Sequence, residues 1–539
     1  MHIMSLSSPE LDLKKYLEAR EALIAQDRSL RRDHQEDIRP IRPESGKQTE
    51  AKELWENAGN EISASQSLFP GMGFLTGNNS SVEIFRILKK MPKGGLLHAH
   101  LDAMVDAEKL LNWALTLGAG YMHVRVDEPI TASNFYLVVP EFKALVPGTT
   151  DNISLAPSLM SPSYLPKTWV PLHVARRPFS LKAFLMLKNL RGPELFDAWV
   201  TASIRIDPSE AYENMNTVDK IWDRFRAAFR TIFGLFRFEP IFRAVIKQVF
   251  WDCLNDGISY AELRINFHPL FMVRADGRED FGHREWVLAI REILDEFREE
   301  LKPLGRQEEF VGVKLIYTTF RLASPEEIQF YLDDCFELKK EFQDEIAGFD
   351  LVGQEDLGEP LIKFVEVFLK FQKRVQEAQL YLPFIFHAGE TLSDGGETDL
   401  NLIDALLLGT KRIGHGFSIA KHPHLLQMCR EKNIMLEVCP ISCRLTSSMP
   451  MHPLPAVLNS GVPVALNCDD PGIFDSMGNT YDIFQVLIAS DVSGLTTIGT
   501  IAYDSLQFSE LQSEKKVQAL EFWKKRWAAF IDAIVDGSI

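Results

Sequence analysis

From Met91 onward the chain alternates short runs rich in aliphatic and β-branched residues with longer stretches whose apolar positions recur at helical spacing, which is the texture of successive βα units. Eight such runs stand out: 94–102 (GGLLHAHLD), 258–267 (ISYAELRINF), 310–321 (FVGVKLIYTTFR), 346–355 (IAGFDLVGQE), 382–390 (LPFIFHAGE), 412–419 (RIGHGFSI), 434–443 (IMLEVCPISC) and 462–471 (VPVALNCDDP). Eight βα units predict an α/β fold, a TIM (β/α)8 barrel. In most of the runs the apolar part comes first and the polar residues last, so the chemically capable side chains are expected at the carboxyl ends of the strands, where such barrels carry their sites.

The alternation is broken twice. Residues 9 to about 65 are highly charged, with leucines at helical spacing and interruptions at Pro40 and Pro43, and predict helices that pack on something else. The first two runs are then separated by about 155 residues, against roughly 31 for an ordinary unit, so a long insertion follows the first strand. Six prolines between 147 and 178 predict an irregular segment or small subdomain there. The expected organisation is an N-terminal helical arm over 1–85, a barrel over 86–510 with an insertion at about 110–215, and a C-terminal helix over 511–539.

Composition narrows the partners. Apolar residues at 46% and charged ones at 25% suit a large buried core, and a net charge of −17 disfavours nucleic acid and anionic membranes. No run approaches the roughly 18 consecutive apolar residues of a membrane span. The start reads as an amphipathic helix rather than a secretory signal, and the six cysteines lie almost wholly in the C-terminal half, so the expectation is a cytoplasmic protein with reduced thiols.

The run ends supply the chemistry. His98 and His100, two apart on the first strand, project from the same face. His387 lies in HAGE of the fifth run, His415 in GHG of the sixth, and Asp469 with Asp470 in NCDDP of the eighth. Three imidazoles and a carboxylate on one rim form a nitrogen and oxygen donor set that favours zinc over magnesium or calcium. Glu390, three residues after His387, is placed to face a substrate as a general acid, although it could instead cap a following helix. Adjacent Asp469 and Asp470 point oppositely on a strand unless the chain turns, and Pro471-Gly472 favours a turn. The Cys439-Pro-Ile-Ser-Cys443 pair has the wrong order and spacing for the cytidine-type zinc deaminases, and neither a P-loop nor a dinucleotide fingerprint is present.

MPKGGLLHAHLD, GFDLVGQED, FHAGET, RIGHGF, EVCPIS and NCDDPGIF, in this order, resemble the adenosine deaminase family, particularly its adenosine deaminase-related growth factor branch. The segment WDRFRAAFRTIFGLF (222–236), the arm and the insertion resemble that branch too. The resemblance implies one zinc held by His98, His100, His387 and Asp469, Glu390 as proton donor, and His415 orienting the attacking hydroxide. It also implies purine contacts from Asp470 and the Gly353 backbone, a ribose-side contact from Asp102, and Trp222 along the sugar pocket. The implied reaction is hydrolytic deamination of adenosine or 2′-deoxyadenosine to the inosine product and ammonia, by a homodimer. Two departures concern the branch: no cysteine lies between 103 and 252 where its secreted members carry a disulfide, and Phe320 stands where a histidine is expected. The alternatives are a deaminase of AMP or another 6-aminopurine, which a phosphate-binding Arg or Lys near the sugar end would mark, and a nucleoside-binding, signalling dimer. Arg176 and Arg177 in the insertion are the basic pair singled out by sequence.

Overall fold

The structure is a computed structural model that describes residues 13–35, 37–38, 50–51 and 83–539, the latter apart from 155, 157, 178, 180–191, 207–216, 448–451 and 490–493. Most of the predicted arm therefore lies outside the described residues.

All eight runs contain strands: β1 (Gly94–His100), β2 (Ile258–Asn266), β3 (Gly312–Phe320), β4 (Ile346–Val352), β5 (His387–Ala388), β6 (Arg412–His415), β7 (Met435–Val438) and β8 (Val464–Leu466). They pair in parallel as two four-stranded sheets, β1 to β4 and β5 to β8 in sequence order. Parallel bridges Phe349 to Phe384 and Ala99 to Asp469 join the two sheets on both sides, so the ring closes as the predicted barrel. Regular pairing in the fifth run is shorter than expected, because Pro383 brings no N–H to the ladder. Its carbonyl still accepts from Phe349 N at 3.0 Å, and Ile385 N returns a bond to Phe349 O at 3.0 Å.

The helices between strands carry local start signals. Ser324 accepts from Glu327 N at 3.2 Å while Glu327 returns its carboxylate to Ser324 N at 2.8 Å, with Pro325 opening the helix Pro325–Glu341. The C-terminal helix Ser513–Val535 seals the bottom of the barrel, where Trp523 stacks on Trp527 and donates to Pro92 O just before β1. Of the arm, Arg32 is clamped by two hydrogen bonds, 2.7 and 2.8 Å, to Asp504 on the helix Leu495–Gln507.

Between β1 and β2 a small antiparallel sheet forms, Met122–Arg125 flanked by Glu141–Ala144 and by Val170–Pro171, the last strand alone coming from the proline-rich stretch. Beyond it the helix Val218–Phe236 packs on the strand Glu141–Ala144 and lies across the barrel mouth. Its contact with the small sheet depends on Gly234, since a Cβ there would sit 2.0 Å from Phe142 O. Gly234→Ala is expected to force helix and sheet apart and lower stability by about 1–3 kcal/mol, read as a shift of the thermal or denaturant unfolding midpoint.

Candidate active site

Beneath the barrel mouth lies a buried ionic layer. Arg264 on β2 donates from Nε to Asp350 Oδ2 on β4 at 2.9 Å and from a terminal nitrogen to Glu437 Oε2 on β7 at 2.7 Å. Arg412 on β6 donates to the other Glu437 oxygen at 2.6 Å and to Glu262 on β2. Burial alone would raise these carboxyls, but His387 and Arg264 hold Asp350, and Arg264 and Arg412 hold Glu437, well below the usual carboxylate range. Both are therefore acceptors. His98 Nδ1 donates to Glu437 at 2.9 Å and His387 Nδ1 to Asp350 at 2.6 Å, which leaves the Nε2 lone pairs of both rings facing the barrel axis.

Above this layer the predicted ligands converge. Asp469 Oδ1 is 3.3 Å from His98 Nε2 and 3.2 Å from His100 Nε2, and the His98 and His387 ring centres are 4.6 Å apart. His98 Nε2 and Asp469 Oδ1 are buried without a hydrogen-bond partner, as bare donors to a metal would be. One ligand atom from each of His98, His100 and His387 falls within 4.8 Å of the others. Burial pushes His387 down to about 3 and His415 well down, so both rings are neutral. This three-nitrogen, one-carboxylate set fits zinc. The thiols of Cys439 and Cys443, also close by, are pushed up by burial and stay protonated, in line with packing roles.

Asp469 adopts φ +56° and His415 φ +60°, left-handed turns at the ends of β8 and β6. The first resolves the adjacency problem, because it lets Asp469 meet the histidines while Asp470 also lines the cavity. That cavity, about 320 Å³, is bordered by every predicted site residue except His98, which lies directly under it. Glu390 caps no helix. Its Oε2 is 3.9 Å from His415 Nε2, and its backbone N–H is held by Glu355 at 3.0 Å. Burial raises Glu390 and Asp470 well above the carboxylate range, reinforced in both by the Asp469 charge. Burial also raises Asp102, to about 6. Burial would raise Asp469 as well, yet the imidazoles of His100 and His98 beside it keep it well below its usual value. Gly353 has φ +105°, with nothing within 4 Å of where a Cβ would stand, so its backbone borders open space. Trp222 is a buried wall residue of the cavity.

The family model for adenosine deaminase matches residues 204–523. An adenosine deaminase of Lutzomyia longipalpis is 31% identical over 459 residues, 84% of this chain and 80% of that protein, and the human adenosine deaminase 2 is 30% identical over 83% and 80%. The chain belongs to the adenosine deaminase family. A Dictyostelium discoideum adenosine deaminase 2 aligns over 97% of this chain at 26% identity. Among solved structures, an adenine deaminase from Arthrobacter aurescens superposes with a TM-score of 0.52 at 18% identity, covering 81% of this chain and 99% of that one, a likeness of fold.

For this family member the sequence reading missed the supports of the site. Arg264, Asp350 and Glu437 sit inside apolar runs and Arg412 opens one, and a charge in such a run was the available signal. The Arg176 and Arg177 pair does not border the cavity, since Arg176 is bound to Asp197 at 2.6 and 2.7 Å, whereas Arg226 and Arg230 do border it. Asp350→Asn should free the His387 ring from its charged acceptor and weaken zinc binding about 10- to 100-fold, measured by chelator competition.

Proposed function

We propose that the protein is a zinc-dependent deaminase of the adenosine unit, a 6-aminopurine carried on a ribose, releasing ammonia and leaving the hypoxanthine ring. The observation that carries this is the buried Glu390 carboxyl, raised well above its usual value by burial and the Asp469 charge, beside the His98, His100, His387 and Asp469 cluster, with His415 between them at 3.9 Å from both Glu390 and Asp469. Zinc held by these four residues would lower the pKa of a water molecule toward neutrality.

The chain's own groups do the rest. His415, neutral because it is buried, orients the attacking water and stabilises charge as it develops. Glu390 hands its proton to N1 as oxygen adds at C6, which offsets the lost aromaticity. Of the two protons of the attacking water, one leaves with the amine as the C6–N bond breaks and the other restores Glu390, so atoms and charge balance as one water in and one ammonia out. Asp470, held neutral, donates to N7, an acceptor that a carboxylate anion would repel. The Gly353 N–H approaches N3, and Asp102 meets the sugar. Burial of His415, Glu390 and Asp470 at the cavity floor keeps out the bulk water that would otherwise ionise Glu390 and Asp470.

Two further features accompany this reading. All six cysteines are buried free thiols, which supports a reducing, cytoplasmic setting. Among the described residues no helix is long and apolar enough to cross a membrane.

The test is ammonia release, with the change in ultraviolet absorbance from an adenine to a hypoxanthine ring, on zinc-loaded protein. Glu390→Gln should keep its zinc and lose at least about 100-fold in turnover. A variant within tenfold of the parent removes Glu390 from the mechanism. The sign of the pH dependence follows from the same group. Glu390 works protonated and burial with the Asp469 charge raises its value, so kcat/KM should fall as pH rises through that raised value. A profile that instead rises with pH across the same range contradicts the assignment.

A further inference from the structure

Two guanidiniums stand at the rim of the cavity whose floor holds the carboxyls. Arg226 and Arg230, one turn apart on the helix Val218–Phe236, both border it and are about half exposed, with side-chain accessibilities of 44% and 51%. On a chain of net charge −17, a pair of cations at the entrance of one cavity needs an electrostatic reason.

Structural ion pairing does not account for them. Arg226 is bonded to Asp223, which is 72% exposed, and such a surface pair contributes little. Arg230 reaches Glu141 Oε1 only at 3.9 Å, while the other oxygen of Glu141 is occupied by Arg125 at 2.7 and 2.8 Å. A further donor stands in the same wall. Arg226 donates to Gln354 Oε1 at 2.6 Å, which fixes that amide's orientation, and the Gln354 Nε2 group is buried with no acceptor. The rest of the helix facing the cavity is Trp222, Phe225, Phe229 and Phe233, hydrocarbon suited to flank a base and sugar but not to satisfy a charge.

We infer that the cavity rim recognises a phosphate, so that the preferred substrate is a 6-aminopurine nucleoside 5′-monophosphate rather than the free nucleoside. The inference rests on the deaminase reading above and adds to it the substrate's second end. The phosphate takes no part in the bond changes at C6. It is carried unchanged into the product, and the arginines act through binding, with Arg230 supplying the uncommitted charge and Arg226 a charge-assisted hydrogen bond.

The experiment is steady-state deamination of adenosine and AMP by the full-length, zinc-loaded protein, with Arg230→Gln, Arg226→Gln and the conservative Arg230→Lys. The expected result is a kcat/KM for AMP above that for adenosine, with the AMP-to-adenosine ratio falling about tenfold or more in each Gln variant, mainly through KM. Arg230→Lys should recover part of the ratio, and added salt should weaken AMP use selectively. Equal or better use of adenosine, with a ratio the variants do not change, overturns the phosphate site and leaves the nucleoside deaminase intact. If neither compound is deaminated, the underlying reading fails. The rim is then scored by calorimetric binding of AMP against adenosine to the same proteins, where equal affinities overturn it too.

Discussion

The site depends on one guanidinium. Arg264, wholly buried, bridges Asp350 and Glu437, and each of those carboxylates in turn holds the Nδ1 of a histidine that faces the barrel axis. Burying such ions is costly, and it is tolerated only where every charge finds a partner in good geometry. Here the partners come from four different strands, since Arg412 on β6 completes Glu437 and reaches back to Glu262 on β2. The layer that most barrels fill with branched aliphatic side chains is therefore ionic just below the site. In exchange, the tautomers and orientations of His98 and His387 are set by the scaffold before any ligand arrives.

That layer also divides the carboxyls into two populations. Asp350, Glu437 and Asp469 touch guanidinium or imidazole groups and remain ionised despite burial. Glu390 and Asp470 are buried just as deeply, and the Asp469 charge beside them adds to burial, so both are raised well above the carboxylate range. Acids of the same chemical type thus sit in opposite protonation environments within a few ångströms, one population paired with cations and the other able to donate hydrogen bonds into the cavity. Asp469 links the two, because the charge that suits it to a metal is also what raises its neighbours.

How far the sequence revealed this follows from where the residues lie in their runs. HAH, HAGE, GHG and CDD stand at strand ends, where polar residues have no packing reason to be, so the fold and the cluster were both legible. The supports were not. Arg264, Asp350 and Glu437 occupy the middle of strands, where the alternation of β-structure hides which face a charge takes and which strand it will meet across the barrel. The relation of Asp469 to Asp470 was undetermined for a different reason, since only a left-handed backbone at Asp469 brings both side chains to the site. Arg226 and Arg230 looked like ordinary solvated positions of an amphipathic helix, and their meaning appears only once that helix is seen to cross the barrel mouth.

The division of labour between the barrel and the helix Val218–Phe236 follows from these constraints. A residue in the ionic layer cannot change alone, because removing one partner leaves an uncompensated buried charge that costs about 3–5 kcal/mol. The helix Val218–Phe236 is under no such restraint on its cavity face. Its aromatic side chains are held by packing on one another, and its arginines are half in water. Substitutions there alter what the cavity accepts without touching the tautomers or protonation states on its floor. A fold built this way can keep the chemistry of its floor fixed while the wall that a ligand's far end would meet is supplied by one helix outside the ring of strands.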